Sequence, residues 1–331
     1  MKKTISYLLM ITLLVGCFII GNCNTEAIAD GELQIVTTIF PIYDWVVNVL
    51  GENPAKANVI MLLDSGVDLH SFQPTADDIL NISKCDIFLY VGGESDEWVE
   101  DALREATNED MVVLNLLEVL GDAAREEEIV EGMQDSDHNH EHEEVHDHEH
   151  EEAEYDEHIW LSLRNAEMLV REIGAALQNT DPGNAELYDR NADAYIEKMA
   201  VLDEAYQNVV SNASVKTLLF GDRFPFRYMT EDYFLTYYAA FSGCSAETEA
   251  SFETIVFLAN KLDELSLPAV MTIEGANHRI AETIIQASQN RNQKILTLDS
   301  MQMTTKKDVS EGTTYLSVME KNLEVLKEAL K

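Results

Sequence analysis

The stretch NAELYDRNADAYIEKMAVLDEAYQNVVS, residues 184–211, decides how the rest of the chain is read. It holds no Gly or Pro after its first residue, and Leu187, Ala192, Tyr195, Met199, Leu202 and Tyr206 recur at helical spacing. The punctuation Asp181-Pro182-Gly183 stands directly before it. Residues 184–211 therefore read as one long helix, a rigid connector rather than a flexible linker.

On either side of that helix the chain alternates between strands and helices. Upstream, the apolar and β-branched runs 33–39, 58–63, 86–91 and 111–116 read as strands. Helices are expected over 40–50, which stops at Gly51, from Thr75 with Asp78 as its capping partner, over 96–106 and over 165–178. Downstream, strands are expected at 215–220, 235–240, 269–273 and 294–298, and helices at 226–233, 251–265, 277–290 and 309–330. No internal repeat is visible at the level of residues. The fold class is α/β: two lobes, each a four-stranded, mostly parallel sheet flanked by helices. Residues 32–183 form the first lobe, 184–211 the connector and 212–331 the second lobe. In such sheets ligands bind beyond the carboxyl ends of the strands, here in the cleft between lobes.

The formal net charge is -39 over 331 residues, which makes nucleic acid or an anionic membrane surface an unfavourable partner. A generically acidic surface and a cation-attracting role are both compatible with that charge. At the N-terminus, Lys2 and Lys3 precede an apolar run, 5–15, too short for a comfortable membrane span. The run ends in Leu14-Val15-Gly16-Cys17, which resembles a bacterial lipobox with Cys17 as the acylated first mature residue. Residues 1–16 are then a signal peptide, and 17–31 a polar tether that holds the protein to the outer face of the cell membrane. Cys23, Cys85 and Cys244 are an odd remainder for an exported protein, and no essential disulfide is expected. Cys85 lies in an apolar strand and should pack as a small hydrophobe.

Between the two series lies DSDHNHEHEEVHDHEHEEAEYDEHIWLSL, residues 135–163, with seven of the nine histidines. His138, His140, His142, His146, His148 and His150 alternate with acids and share no apolar face. The segment 122–157, seventeen acids against one Arg, is expected to be a disordered loop that binds extra metal weakly. His142-Glu143-Glu144-Val145-His146 matches the zinc-peptidase pattern H-E-x-x-H, but that chemistry needs a buried amphipathic helix and these flanks offer none. His158 differs, because it opens the apolar run Ile159-Trp160-Leu161. Together with His70 after the second strand and Asp299 after the last, it has the composition of a zinc or manganese site. Each taken alone has a plainer reading as a loop or cap residue.

VDLHSFQP at 67–74 and DEHIWLS at 156–162 resemble the two histidine motifs of the metal-binding lipoproteins of zinc and manganese ABC importers. An acidic, His-rich insertion before the second motif marks the zinc branch of that family. The resemblance covers 33–331 and implies a periplasmic-binding-protein-like fold of the metal-binding type, with one metal between the lobes. It implies His70, His158 and Asp299 as ligands, a membrane permease as partner, and a monomer. One position departs from the pattern. The family's third ligand, His or Glu, falls here on Arg223 in Gly221-Asp222-Arg223-Phe224-Pro225-Phe226, and a guanidinium cannot bind a cation. Asp222, Glu274 or water is left to complete the shell, with Asp222 the first choice. Arg223 itself must turn away and pair with an acid.

The leading expectation is an extracytoplasmic protein that captures zinc, or alternatively manganese, for a permease. A surface adhesin whose metal is only a staple would unfold without it. A secreted metal-dependent hydrolase would need a general base near an open coordination position, and no such motif is present.

Overall fold

Both β/α series fold into parallel four-stranded sheets. The computed structural model describes residues 32–51, 57–134, 154–245, 249–275 and 277–331. In the first sheet β1 (Leu33–Thr37), β2 (Ala57–Met61), β3 (Ile87–Tyr90) and β4 (Val112–Asn115) lie in the order β2-β1-β3-β4. In the second, β5 (Thr217–Phe224), β6 (Thr236–Ser242), β7 (Ala269–Ile273) and β8 (Lys294–Leu298) repeat it as β6-β5-β7-β8. Every pairing is parallel. In each sheet the chain steps out to an edge strand and then crosses back. The direction of winding thus reverses beside β1 and β5, where crevices open at the carboxyl ends.

The long connector is helix Ala185–Ser211, 27 residues and about 40 Å at the usual rise. Its buried face is Tyr188, Ala192, Tyr195, Met199, Leu202, Tyr206 and Val210. Tyr188 takes the place expected of Leu187, which is only half-buried, because its hydroxyl donates to Asp181 at 2.7 Å. Toward the first half, the Tyr195 hydroxyl donates to Asp44 at 2.6 Å and Asn191 to the Val49 carbonyl at 2.9 Å, both on helix Phe40–Leu50. Toward the second, the Tyr206 hydroxyl donates to the Met319 carbonyl at 2.6 Å on helix Tyr315–Ala329. One apolar core accordingly runs through both halves, from Val36 and Trp45 to Leu298, Tyr315 and Leu326. A second cluster, with Leu219, Phe241, Leu258 and Val270, fills the other face of the second sheet. Thr75 and Asp78 form the expected capping box on helix Ala76–Lys84.

Two expectations are corrected. The helix read over 309–330 is two helices, Lys306–Ser310 and Tyr315–Ala329. Gly312 between them sits at φ 99, a backbone conformation that favours glycine and stops a helix. The acidic loop is also shorter than 122–157. The Gln134 amide donates to the Ala240 carbonyl at 2.9 Å, Met133 is buried, and Glu126 bridges Tyr155. Backbone pairing thus draws 122–134 and 154–157 into the fold, despite their charge. His138, His140, His142, His146, His148 and His150 lie outside the described residues, as do Cys17 and the rest of 1–31. Among the described residues no helix is long and apolar enough to cross a membrane.

Candidate metal centre

His70 follows β2 in the short 3-10 turn Leu69–Ser71, whose first amides are capped by Asp68; the His70 amide donates to Asp68 at 3.1 Å. His158 immediately precedes the turn Ile159–Leu161. Ile159, Trp160 and Leu161 are each 1% exposed, and this apolar run draws His158 fully into the interior. Such a polar side chain needs partners. Its amide and its Nδ1 both meet Asp156 Oδ1 at 2.9 Å, so Nδ1 carries the proton. His70 Nδ1 lies 2.7 Å from Ser95 Oγ and 3.4 Å from Glu157 Oε2. The neighbouring carboxylates of Asp156 and Glu157 thereby orient one imidazole each, an arrangement found behind metal-bound histidines.

With the Nδ1 atoms so engaged, the Nε2 atoms converge to 3.3 Å. Two nitrogens at opposite corners of a tetrahedral edge around zinc, each about 2.0–2.1 Å from the ion, stand about 3.3–3.4 Å apart. Gln302 also reaches this point. With its amide nitrogen donating to Asp68 at 3.1 and 2.8 Å, its oxygen lies 2.7 Å from His158 Nε2.

The charge around the pair is negative. Burial alone would raise the Glu157 carboxyl, but hydrogen bonds from His70 and from Ser95, whose amide donates at 2.7 Å, hold it below its usual range. Burial is likewise outweighed at Asp68, which Arg223 keeps low through a 2.6 Å ion pair. Arg223 thus turns to an acid, as its charge requires. A cleft of 1030 Å³ opens from His70 past Glu94, Glu97, Glu127 and Glu154.

The second-half acids are placed differently from the expectation. β5 and β6 lose register between Phe220 and Arg223, and Asp222 sits in that bulge. Its Oδ1 accepts from the Arg223 amide at 2.9 Å and its Oδ2 from the Ile273 amide at 3.2 Å. Asp222, the first choice for a replacement ligand, is thus turned to backbone donors and lies outside the group in which the two imidazoles meet. Glu274 accepts from the Ser300 amide at 2.6 Å, the Ser300 hydroxyl at 2.7 Å and the Gln302 amide at 3.1 Å. Asp299 accepts from the Met301 amide at 2.8 Å. Burial raises both carboxyls, and Asp299 raises Glu274 further. Neither joins the metal-type group that the described residues form, which is His70, His158 and Cys244, with ligand atoms all within 4.8 Å of one another.

Cys244 was missed from sequence. It follows β6 on a turn, and its only signal was its place in an odd cysteine count. Its amide donates to Glu127 at 3.1 Å, and a hydrogen bond from the Glu157 backbone reaches its sulfur. Burial, reinforced by Glu127, Asp156 and Glu157, pushes the thiol up. Cys85, like Cys244, is free, and it packs at 1% exposure. Removing the carboxylate that orients His158 should weaken metal binding without unfolding the chain. Asp156→Ala is expected to lower zinc affinity about 10–100-fold, read by competition with a chromophoric chelator. Unchanged affinity would remove Asp156 from the site.

The chain matches the family profile described as zinc-uptake complex component A, periplasmic, over residues 35–329. It is 31% identical over 320 residues to the zinc-binding lipoprotein AdcA of Streptococcus pneumoniae, covering 97% of this chain and 60% of that protein. The chain therefore spans less than two thirds of that relative. With the high-affinity zinc uptake system protein ZnuA of Bacillus subtilis it shares 29% identity over 96% of both chains. The Zn(II)-bound ZnuA-like domain of S. pneumoniae AdcA superposes with a TM-score of 0.68 at 28% identity, over 91% of this chain and 99% of that one. Together with two converging imidazoles at the carboxyl ends of paired parallel sheets, these matches show that the chain belongs to the family of the zinc-uptake complex component A.

Proposed function

We propose that this protein captures a zinc ion outside the cytoplasm and hands it to an ABC permease, acting as a binding component rather than an enzyme. The observation that carries the reading is the 3.3 Å convergence of two Nε2 atoms whose Nδ1 atoms face carboxylates or a hydroxyl. Neutral imidazole favours zinc over harder cations such as manganese. His70 and His158 are the ligands, and Asp68, Asp156 and Glu157 supply surrounding negative charge. Asp299 stands beyond β8 as an acid that a movement of its loop would bring to the ion. Cys17 carries the lipid that keeps the protein at the membrane, and the protein works as a monomer.

The histidines from His138 to His150 gather further ions loosely. Holding spaced imidazoles on one ion means fixing the backbone between them, at about 1–2 kcal/mol per residue fixed, which keeps such binding weak. Chelator-stripped parent protein and a variant lacking 135–153 should both titrate one tight zinc in calorimetry. Only the parent should show additional weak ions. The deletion stops short of Gln134, because its side chain accepts from the Ser251 amide at 2.7 Å. Loss of the tight site in the deletion, or no tight zinc in the parent, would defeat the reading.

A further inference from the structure

We propose that Cys244 is the third protein ligand of the metal centre, binding as a thiolate beside His70 and His158. This rests on the reading of the two histidines as the zinc site. The family's own third position is occupied here by Arg223, whose guanidinium is committed to Asp68 at 2.6 Å. The carboxylates that stood in line to replace it are turned to other donors: Asp222 to two backbone amides, Glu274 to Ser300 and Gln302. Among the described residues the group of convergent ligand atoms is completed by sulfur alone, with all three atoms within 4.8 Å of one another.

The local chain is built for this approach. Cys244 is carried on the turn that follows β6, and the residue before it is Gly243. A Cβ at Gly243 would lie 2.9 Å from His158 Cε1 and 3.0 Å from the Phe224 carbonyl oxygen, so only glycine lets this turn lie against the ring. The Cys244 amide is pinned by Glu127 at 3.1 Å, which fixes the turn beside the two imidazoles. In a tetrahedral site with zinc–nitrogen bonds of about 2.0–2.1 Å and a zinc–sulfur bond of about 2.3 Å, sulfur and nitrogen stand about 3.5 Å apart. A modest inward movement of the turn closes that distance.

On binding, one zinc–sulfur bond forms, the S–H bond breaks, and the proton leaves to solvent. The thiolate offsets one of the ion's two charges. Two imidazoles and a thiolate form a softer set than the two imidazoles and carboxylates that the sequence suggested. The site should therefore prefer zinc to manganese more strongly.

Cobalt(II) is the probe that reads this directly, since a thiolate bound to cobalt gives an intense sulfur-to-metal charge-transfer band in the near ultraviolet. Stripped full-length protein loaded with one cobalt should show the band, and Cys244→Ser should bind cobalt without it. Zinc affinity should fall at least about 100-fold in Cys244→Ser, the upper end of what loss of a mere supporting partner costs. Zinc should also shield Cys244 of the parent from alkylation, mapped by peptide mass, which needs no variant. Tight cobalt binding without the band, or alkylation unaffected by zinc, would overturn the thiolate ligand and leave the histidine site standing. A parent that binds neither metal would overturn both.

Discussion

Alanine at both His70 and His158 is expected to abolish tight zinc binding while the circular dichroism of the fold stays that of the parent. Each imidazole offers one nitrogen to a common point, and each is held there by its own acid. Removing both leaves Asp68, Asp156 and Glu157 without a nitrogen donor between them. Carboxylates favour harder cations, so what binding remains should be weak and unselective. The fold should survive because neither histidine sits in a strand or long helix. The Asp156 carboxylate also keeps a second partner, the backbone amide of residue 158. Calorimetric titration of the stripped double variant decides the matter, and parent-like affinity would place the metal elsewhere.

The largest loss of stability is expected at Trp160. Its ring is 1% exposed, and its indole nitrogen donates to the Ser300 carbonyl at 2.8 Å. Its own carbonyl accepts from the Tyr315 hydroxyl at 2.7 Å. One residue thus connects the turn that holds His158 to the loop after β8 and to the C-terminal helix. Trp160→Ala opens a large cavity and leaves the Ser300 carbonyl without its indole donor, at a cost of about 3–5 kcal/mol. In urea the midpoint should fall with the slope unchanged. Zinc affinity should fall with it, because the His158 ring packs 5.4 Å from the indole. A loss of unfolding free energy below about 1 kcal/mol would show that the interior collapses around the gap.

The sheets were legible because buried parallel strands leave an unmistakable signal, short β-branched runs set between helical ones. Expected strands such as 269–273 and 294–298 coincide with β7 and β8. The connector was legible for the opposite reason, an apolar stripe with nothing to break it. The two histidines stood out because each follows or opens an ordered run, while the tract's own histidines have no apolar company. What stayed hidden depends on contacts that no local pattern announces. Asp222 lies in a β-bulge, and its carboxylate takes the amides of Arg223 and Ile273. The residues 122–134 look too charged to fold, yet their backbone finds partners on β6 and at Glu154. Cys244 reaches the histidines only because two halves of the chain, far apart in sequence, meet there.

The anchoring of Gln134 and Glu154 has a consequence for how the acidic tract can change. Gln134 is tied to Ala240 and Ser251, and the Glu154 carbonyl accepts from the Glu127 amide at 2.8 Å. The 19 residues between them thus start and end at points fixed to the body. The entropy of closing such a loop grows only with the logarithm of its length, so doubling it costs about 0.6 kcal/mol. Copying or losing His-Glu pairs thus changes the number of imidazoles in the tract at almost no cost in stability. The register of Asp156, Glu157 and His158 is left undisturbed. The tract is in this sense a dial that mutation can turn freely, mounted on a site that tolerates almost no displacement.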